Sequence, residues 1–505
     1  MRSFVPVGLA VLTVLATAAP PSAAGSGPPD PLAEFLDQKP AWGPCLDVLE
    51  CATVVVPLDY RDVGAGRLSL SISRKKATGA RRGVLVLNPG GPGGSGVRMP
   101  AFLATTALAG SYDLIGFDPR GVGGSTPLTC AVVPEIATPD SRPPDSEFPK
   151  WAAEARAAED SCERSAGGVR RYVNTANSAR DVDVIRAVLG EQRINYLGYS
   201  YGTYLGAVYG SLFPRHLDRT VLDSSVHPER LWHGQLKGQA IATRRNVDLW
   251  AEWAAGENRV PRLGANAAEV LATVEKVSAR LAVEPVGGHD RTEFDAAVGV
   301  GARFRPLWAD LADVVDELAA GADPWAAAER GARMAASARE ELRSGVYDTV
   351  TCEADWPRDL ESYYEEMRAF RDRYPYGLGV VRAAPTACTF RTFTPSEPMV
   401  PLARDGYPVG VVVQAEGDTR TLYEGGPAMA AALGDNLLTV LDEGKHGIYG
   451  SGNACVDAAV DRYLIDGVLP GNSSTCPGDP RPDPAHTVTR SVESFLDEVD
   501  HRFGR

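Results

Sequence analysis

The sequence predicts an α/β chain: a doubly wound, mostly parallel sheet of eight strands, with a helical cap inserted between the sixth and the seventh. Three observations carry this expectation. Short runs of β-branched and apolar residues recur along the chain, and most are continuously apolar, as strands covered on both faces must be. Helical patterns lie between them, so strand alternates with helix. One long interval, 225–400, breaks that rhythm with Ala-, Arg-, Glu- and Trp-rich segments.

The elements follow in chain order. The opening MRSFVPVGLAVLTVLATAAPPSAAGSG comes before any strand. Arg2 gives a positive start, and the apolar run 5–19 is too short to span a bilayer comfortably. Residues 22–24 (SAA) supply the small side chains that signal peptidase needs, so 1–24 is expected to be a signal peptide cleaved after Ala24. The mature chain is then secreted and extracellular, with no membrane association. The strands are 53–57 (TVVVP), 67–73 (RLSLSIS), 83–88 (GVLVLN), 113–118 (DLIGFD), 194–199 (INYLGY), 219–223 (RTVLD), 409–414 (VGVVVQ) and 436–441 (NLLTVL). Residues 176–189 (ANSARDVDVIRAVL) repeat apolar positions at helical spacing, and Gly190 stops them. Within the insertion, WADLADVVDELAAG reads as an amphipathic helix. Residues 471–484 (GNSSTCPGDPRPDP) read as a Pro-rich surface loop, and 491–502 as a closing helix. The expected organisation is a signal peptide (1–24), a first part of the core (25–224), a helical cap (225–400) and a second part of the core (401–505).

A chain of 505 residues exceeds what one simple core holds, which fits a core plus an insertion. Net charge is −14, which argues against nucleic acid as a partner, because phosphate binding needs basic stripes. The eight cysteines fall into four sequence-local couples, and an even count in an exported chain favours disulfides. Nearest-neighbour pairing gives Cys45–Cys51, Cys130–Cys162, Cys352–Cys388 and Cys455–Cys476. A metal site is the rival use of cysteine, but no CxxC or HExxH spacing supports one.

The chemistry centres on LGYSYGTYLG, residues 197–206. G-x-S-x-G alone is a weak signal. Here a strand ends at Ser200 and YGTYLGAVY starts a helix at once. Such a turn strains the central residue, needs glycine at the flanks, and lifts the hydroxyl above the sheet edge at a helix N-terminus. A serine hydroxyl needs a base, and the base needs an orienting acid. On α/β-hydrolase folds the chain order is Ser, Asp or Glu, then His. Three histidines follow the seventh strand: His446, His486 and His501. His446, in the glycine-bounded loop EGKHGIYG after the last strand, is the expected base. VVVQAEGDTRT places Asp418 after Gly417, which permits a tight turn toward the sheet edge; Glu416 is the reserve acid.

The third strand ends in NPGGPGGSG (88–96). A nucleotide loop would require a following Lys-Ser/Thr, which is missing. An oxyanion loop fits better, with N–H donors from Gly91 and from Tyr201, the residue after the nucleophile. The fourth strand ends in FDPRGVGGS, where Arg120 and Gly121 are expected to shape the floor of the site, Arg120 chiefly as a structural residue. No cofactor and no metal enter this chemistry.

Together NPGGPGGSG, DPRGVGGS, GYSYGTYLG, GDTRT and GKHG resemble the secreted tripeptidyl aminopeptidases of actinomycetes. These belong with the proline iminopeptidases among the α/β-hydrolase peptidases. The resemblance spans nearly the whole mature chain, from CATVVVPLDY to the cysteine-bearing C-terminal region. It implies Ser200 as nucleophile, Asp418 as acid, His446 as base and Gly91 and Tyr201 at the oxyanion positions. Thr421, three after the acid, matches a threonine of the same family turn. It further implies release of short peptides or single residues from a free N-terminus. An exopeptidase of this kind must hold an ammonium group, and Glu353 and Asp355 in TCEADWP are the candidates, beside Cys352. A carboxylesterase or lipase using the same machinery is the nearest alternative. A non-catalytic binding protein on this fold is the alternative of another class.

Overall fold

The computed structural model describes Met1 and residues 31–46, 48–130, 139–255, 263–286, 289–321 and 345–482. The expected signal peptide with its cleavage point, His486, His501 and the closing helix lie outside the described residues.

Ten strands among the described residues form one sheet. In chain order they are β1 (Gly43–Cys45), β2 (Leu49–Asp59), β3 (Asp62–Lys75), β4 (Gly83–Asn88), β5 (Tyr112–Phe117), β6 (Ile194–Tyr199), β7 (Leu217–Asp223), β8 (Val411–Ala415), β9 (Asn436–Leu441) and β10 (Ser473–Pro477). Across the sheet they run β1-β2-β3-β5-β4-β6-β7-β8-β9-β10. β1, β2 and β3 join the sheet antiparallel, and every pairing from β5 to β10 is parallel. The continuous apolar runs have the expected cause. Along β4, Val84 and Val86 pack into one core with Ile115, Tyr196 and Leu222. Leu85 and Leu87 pack into a second core on the other face, with Leu114, Leu197 and Val221.

The sheet has two strands more than the eight expected, one at each edge. β1 is only Gly-Pro-Cys, and β10 (SSTCP) lies inside the segment read as a Pro-rich loop. Neither has an apolar run to signal it. Each is fastened by a disulfide instead: Cys45–Cys51 ties β1 to β2, and Cys455–Cys476 ties β10 to the helix Ala454–Asp466.

Between β7 and β8 run the helices His233–Ala254, Ala267–Leu281, Arg291–Arg303, Trp308–Ala320, Val346–Thr351 and Leu360–Arg373. Asn266 and Asp290 cap two of them by accepting from the backbone N–H of Glu269 and Glu293. Gly321 closes the helix Trp308–Ala320 in the left-handed conformation. The first four helices meet in a separate core built on Trp250, Trp253, Trp308, Val270, Val274 and Leu311, while Met367 and Phe370 of Leu360–Arg373 pack into another. No helix among the described residues is long and apolar enough to cross a membrane.

The register sets the position of the site. Asn88 of β4 pairs with Gly198 of β6, Tyr199 of β6 with Asp223 of β7, and Asp223 with Val413 of β8. The loops that leave β4, β6, β8 and β9 therefore emerge along one carboxyl edge, where α/β sheets bind ligands.

Candidate active site

β6 turns directly into the helix Tyr201–Leu212, with Ser200 between them at φ 57°, ψ −126°. A non-glycine residue seldom holds this conformation, which costs about 1–3 kcal/mol and persists where the surroundings enforce it. The glycines at the flanks are required by close approach. A Cβ on Gly198 would lie 2.4 Å from the carbonyl oxygen of Gly202, and one on Gly202 would lie 2.7 Å from Asn88 Oδ1. The turn is tied down on both sides. The Ser200 N–H donates to the carbonyl of Asp223 at 3.0 Å, and Thr203 donates back to the Ser200 carbonyl through its N–H and its hydroxyl. Ser200 is half-buried at the N-terminus of its helix, where the dipole favours developing negative charge.

Asp418 lies in the turn after β8 and is fully buried. Its Oδ1 accepts from the N–H groups of Arg420 (2.7 Å) and Thr421 (3.2 Å). Its Oδ2 accepts from the Thr421 hydroxyl at 2.8 Å and from His446 Nδ1 at 2.7 Å. Burial works to raise the Asp418 pKa, but the His446 imidazole, with help from Arg303 and the Arg420 N–H, holds it below the ordinary carboxylate value. Nδ1 is thus the ring nitrogen that faces the acid. Glu416, the reserve acid, is exposed and accepts from the Asp442 N–H at 2.8 Å, so it does not orient the imidazole.

The loop after β4 approaches the elbow closely. A Cβ on Gly90 (φ 95°) would lie 2.5 Å from the Tyr199 carbonyl oxygen and 2.8 Å from Ser200 Cβ. The Gly90 N–H donates to Asn88 Oδ1 at 2.9 Å. The N–H groups of Gly91 and Tyr201 have no protein acceptor among the described residues. The loop is braced from below by Asp118, whose carboxylate accepts from the Ser95 hydroxyl and from the N–H groups of Gly96 and Gly124. Arg120 is wholly buried and paired with Asp181 at 2.6 and 2.8 Å, and it donates to the carbonyls of Pro57, Leu58 and Tyr172. It is a structural residue beneath the site.

The two candidate ammonium-binding acids separate. Glu353 is partly exposed; it accepts from the Thr175 N–H (2.9 Å) and hydroxyl (2.6 Å), and Thr175 Oγ1 lies 3.0 Å from the Tyr201 hydroxyl. Burial pushes its pKa up to about 7 against those bonds. Asp355 does not share this position. Its carboxylate is fully in solvent, 3.9 Å from Arg391, because the chain turns outward two residues after Glu353. The four disulfides join Cys45–Cys51, Cys130–Cys162, Cys352–Cys388 and Cys455–Cys476.

Several residues that hold the acid and base loops carry no sequence motif. Gln235 and Gln239, one turn apart on the helix His233–Ala254, both donate to the Arg420 carbonyl, at 2.6 and 2.9 Å. Asn246 of the same helix donates to the Gly417 carbonyl at 2.9 Å. Arg303 donates to the Gly444 carbonyl at 2.9 Å, two residues before His446. Asp223 and Ser224 bind the backbone after His446. Left-handed backbone at non-glycine residues gives a further signal. Of five such residues among those described, Ser200, Ser224 and Asp442 surround this edge.

Comparison with known proteins fits this geometry. A family model described as "alpha/beta hydrolase fold" matches residues 83–308, and one described as "TAP-like protein" matches 374–476. The chain is similar to the tripeptidyl aminopeptidase of Streptomyces coelicolor, with 35% identity over 456 residues, covering 86% of this chain and 84% of that one. It is similar to carboxylesterase B of Mycobacterium tuberculosis, with 31% identity over 497 residues, covering 92% and 95%. It is also similar to the serine protease Hip1 of Mycobacterium tuberculosis, with 29% identity over 460 residues, covering 84% and 87%. The chain belongs to the α/β-hydrolase family of the tripeptidyl aminopeptidases.

Proposed function

We propose that this protein is an exported serine exopeptidase that releases short peptides, tripeptides foremost, from free N-termini through an acyl-enzyme. The observation that carries the reading is the Asp418–His446 hydrogen bond at the sheet edge where the strained Ser200 turn emerges. In this scheme His446 Nε2 takes the Ser200 proton as Oγ attacks the scissile carbonyl. The same proton passes to the leaving amine, and water repeats the sequence on the ester. Asp418 keeps Nδ1 protonated and stabilises the imidazolium. The Gly91 and Tyr201 N–H groups receive the oxyanion, a contribution of about 10²–10³ in rate per donor. Segment 225–400 acts as a cap that excludes water and bounds the substrate. Glu353, held by the Thr175 N–H and hydroxyl, supplies negative charge for the substrate ammonium. Four disulfides support an oxidising, extracellular setting.

The similarity to carboxylesterase B supports a second reading, ester hydrolysis by the same residues. Free and N-acetylated tripeptide anilides separate the two. The exopeptidase reading expects acetylation to lower kcat/KM by about 100-fold or more, the scale of losing a partly buried charge pair. Equal rates on both anilides, with rapid turnover of simple esters, favour the esterase.

A further inference from the structure

Asp223 closes β7 and is completely buried. Its main chain and its side chain serve opposite halves of the site. The main-chain carbonyl accepts the N–H of Ser200 at 3.0 Å. The carboxylate Oδ2 accepts from the N–H groups of Tyr449 (2.7 Å) and Ile448 (2.9 Å), and Oδ1 accepts from the Ser224 hydroxyl at 2.9 Å. Ser224 Oγ in turn accepts from the N–H of Gly447 at 2.7 Å. Three consecutive N–H groups, those directly after His446, are thus gathered by one strand end. The Ile448 and Tyr449 N–H groups reach the carboxylate directly, and that of Gly447 is linked to it through the Ser224 hydroxyl.

We infer that Asp223 is a positioning residue that sets the register of His446 against Ser200, by fixing the base loop to the same strand end that holds the nucleophile's N–H. The inference rests on the serine-hydrolase reading above. The Asp223 carboxylate touches neither substrate nor reacting atoms; it acts through the 446–449 backbone. The arrangement explains how a loop entering 223 residues later in the chain meets the elbow without a direct sequence signal. Burial, and after it the charge of Asp418, raises the Asp223 pKa to about 7. The Ile448 and Tyr449 N–H groups and the Ser224 hydroxyl act in the opposite direction.

The test compares Asp223→Asn, Asp223→Ala and Ser224→Ala in the full chain, using anilide turnover and labelling with a fluorophosphonate. Sites are counted by complete labelling, so that misfolded protein drops out of the rates. A displacement of the imidazole by about 1 Å costs on the order of 100-fold in the chemical step. Asp223→Ala is expected to lose about that factor in kcat per labelled site, Asp223→Asn and Ser224→Ala about tenfold, with KM within about twofold. The labelling rate constant falls in parallel, because labelling also needs His446 aligned. Should Asp223→Ala fail to fold, the two milder variants carry the same comparison. Wild-type kcat and labelling rates per site in those variants overturn the inference and leave Asp223 a residue of stability alone. A wild-type chain that takes no label overturns the serine-hydrolase reading itself, and the inference with it.

Discussion

Ser200 and His446 reach the same sheet edge by different means. The elbow is local: strand, serine and helix lie within residues 194–212, and Gly198 and Gly202 supply the clearance. The acid and base loops are short segments without helix or strand, and distant residues hold them. Gln235, Gln239 and Asn246 grip the carbonyls of the acid turn, Arg303 grips the base loop, and Asp223 gathers the N–H groups beyond His446. The helical insertion is therefore more than a cover. Two of its helices, His233–Ala254 and Arg291–Arg303, are part of the framework that fixes the acid and the base.

Breaking the reacting groups gives the largest effect. Ser200→Ala and His446→Ala should each lower kcat by about 10⁴–10⁶-fold, and the double variant should be little worse than either, since the groups act as a unit. Circular dichroism should show both folded. Next comes the local half of the comparison. Gly90→Ala places a methyl group against Tyr199 and Ser200, and the loop after β4 must withdraw from the elbow. The loss of one donor's alignment predicts a fall of about 10²-fold in kcat, measured with the anilide.

The distant half is softer. Arg303→Met removes the bond to the Gly444 carbonyl and a positive charge that helps keep Asp418 ionised. A loss of about tenfold in kcat is expected, the scale of one charge-assisted hydrogen bond of about 1.5 kcal/mol. Gln235→Ala combined with Gln239→Ala frees the Arg420 carbonyl, and a fall of about threefold to tenfold should follow. If that pair leaves kcat unchanged, the two glutamines are not part of that framework.

The smallest effect is thermodynamic. The Glu353 pKa is raised from 4.5 to about 7 in the folded chain, mainly by burial. Folding therefore takes up a proton between those values, and the contribution is fully present below 4.5 and lost as pH rises through about 7. Glu353→Gln removes this dependence. The stability of the wild type relative to the variant should decline between pH 4.5 and 7 and then level off, which denaturant titrations at a series of pH values will show.

The same contrast governs what the sequence made legible. The elbow could be read because its constraints are neighbours: a strand run, two glycines, a helix. Asp418 and His446 could be nominated because each follows a strong apolar strand, and the structure joins them at 2.7 Å. Asp223 was not legible, because an aspartate closing RTVLD looks like any polar strand end, and its partners lie at 448 and 449. Gln235 and Gln239 look like the wet face of a helix until the Arg420 carbonyl is in place. β1 and β10 lack apolar runs, and each is fastened by a disulfide. Glu353 and Asp355 are two residues apart and looked alike in sequence; only the direction of the chain past Cys352 half-buries one and exposes the other.

The most direct measurement is fluorophosphonate labelling of the native chain with mass-spectrometric mapping of the adduct, repeated in His446→Ala. The account predicts a single adduct on Ser200 in the wild type and a labelling rate lower by at least about 10³-fold in the variant. An adduct on another residue, or equal labelling of the two proteins, contradicts it.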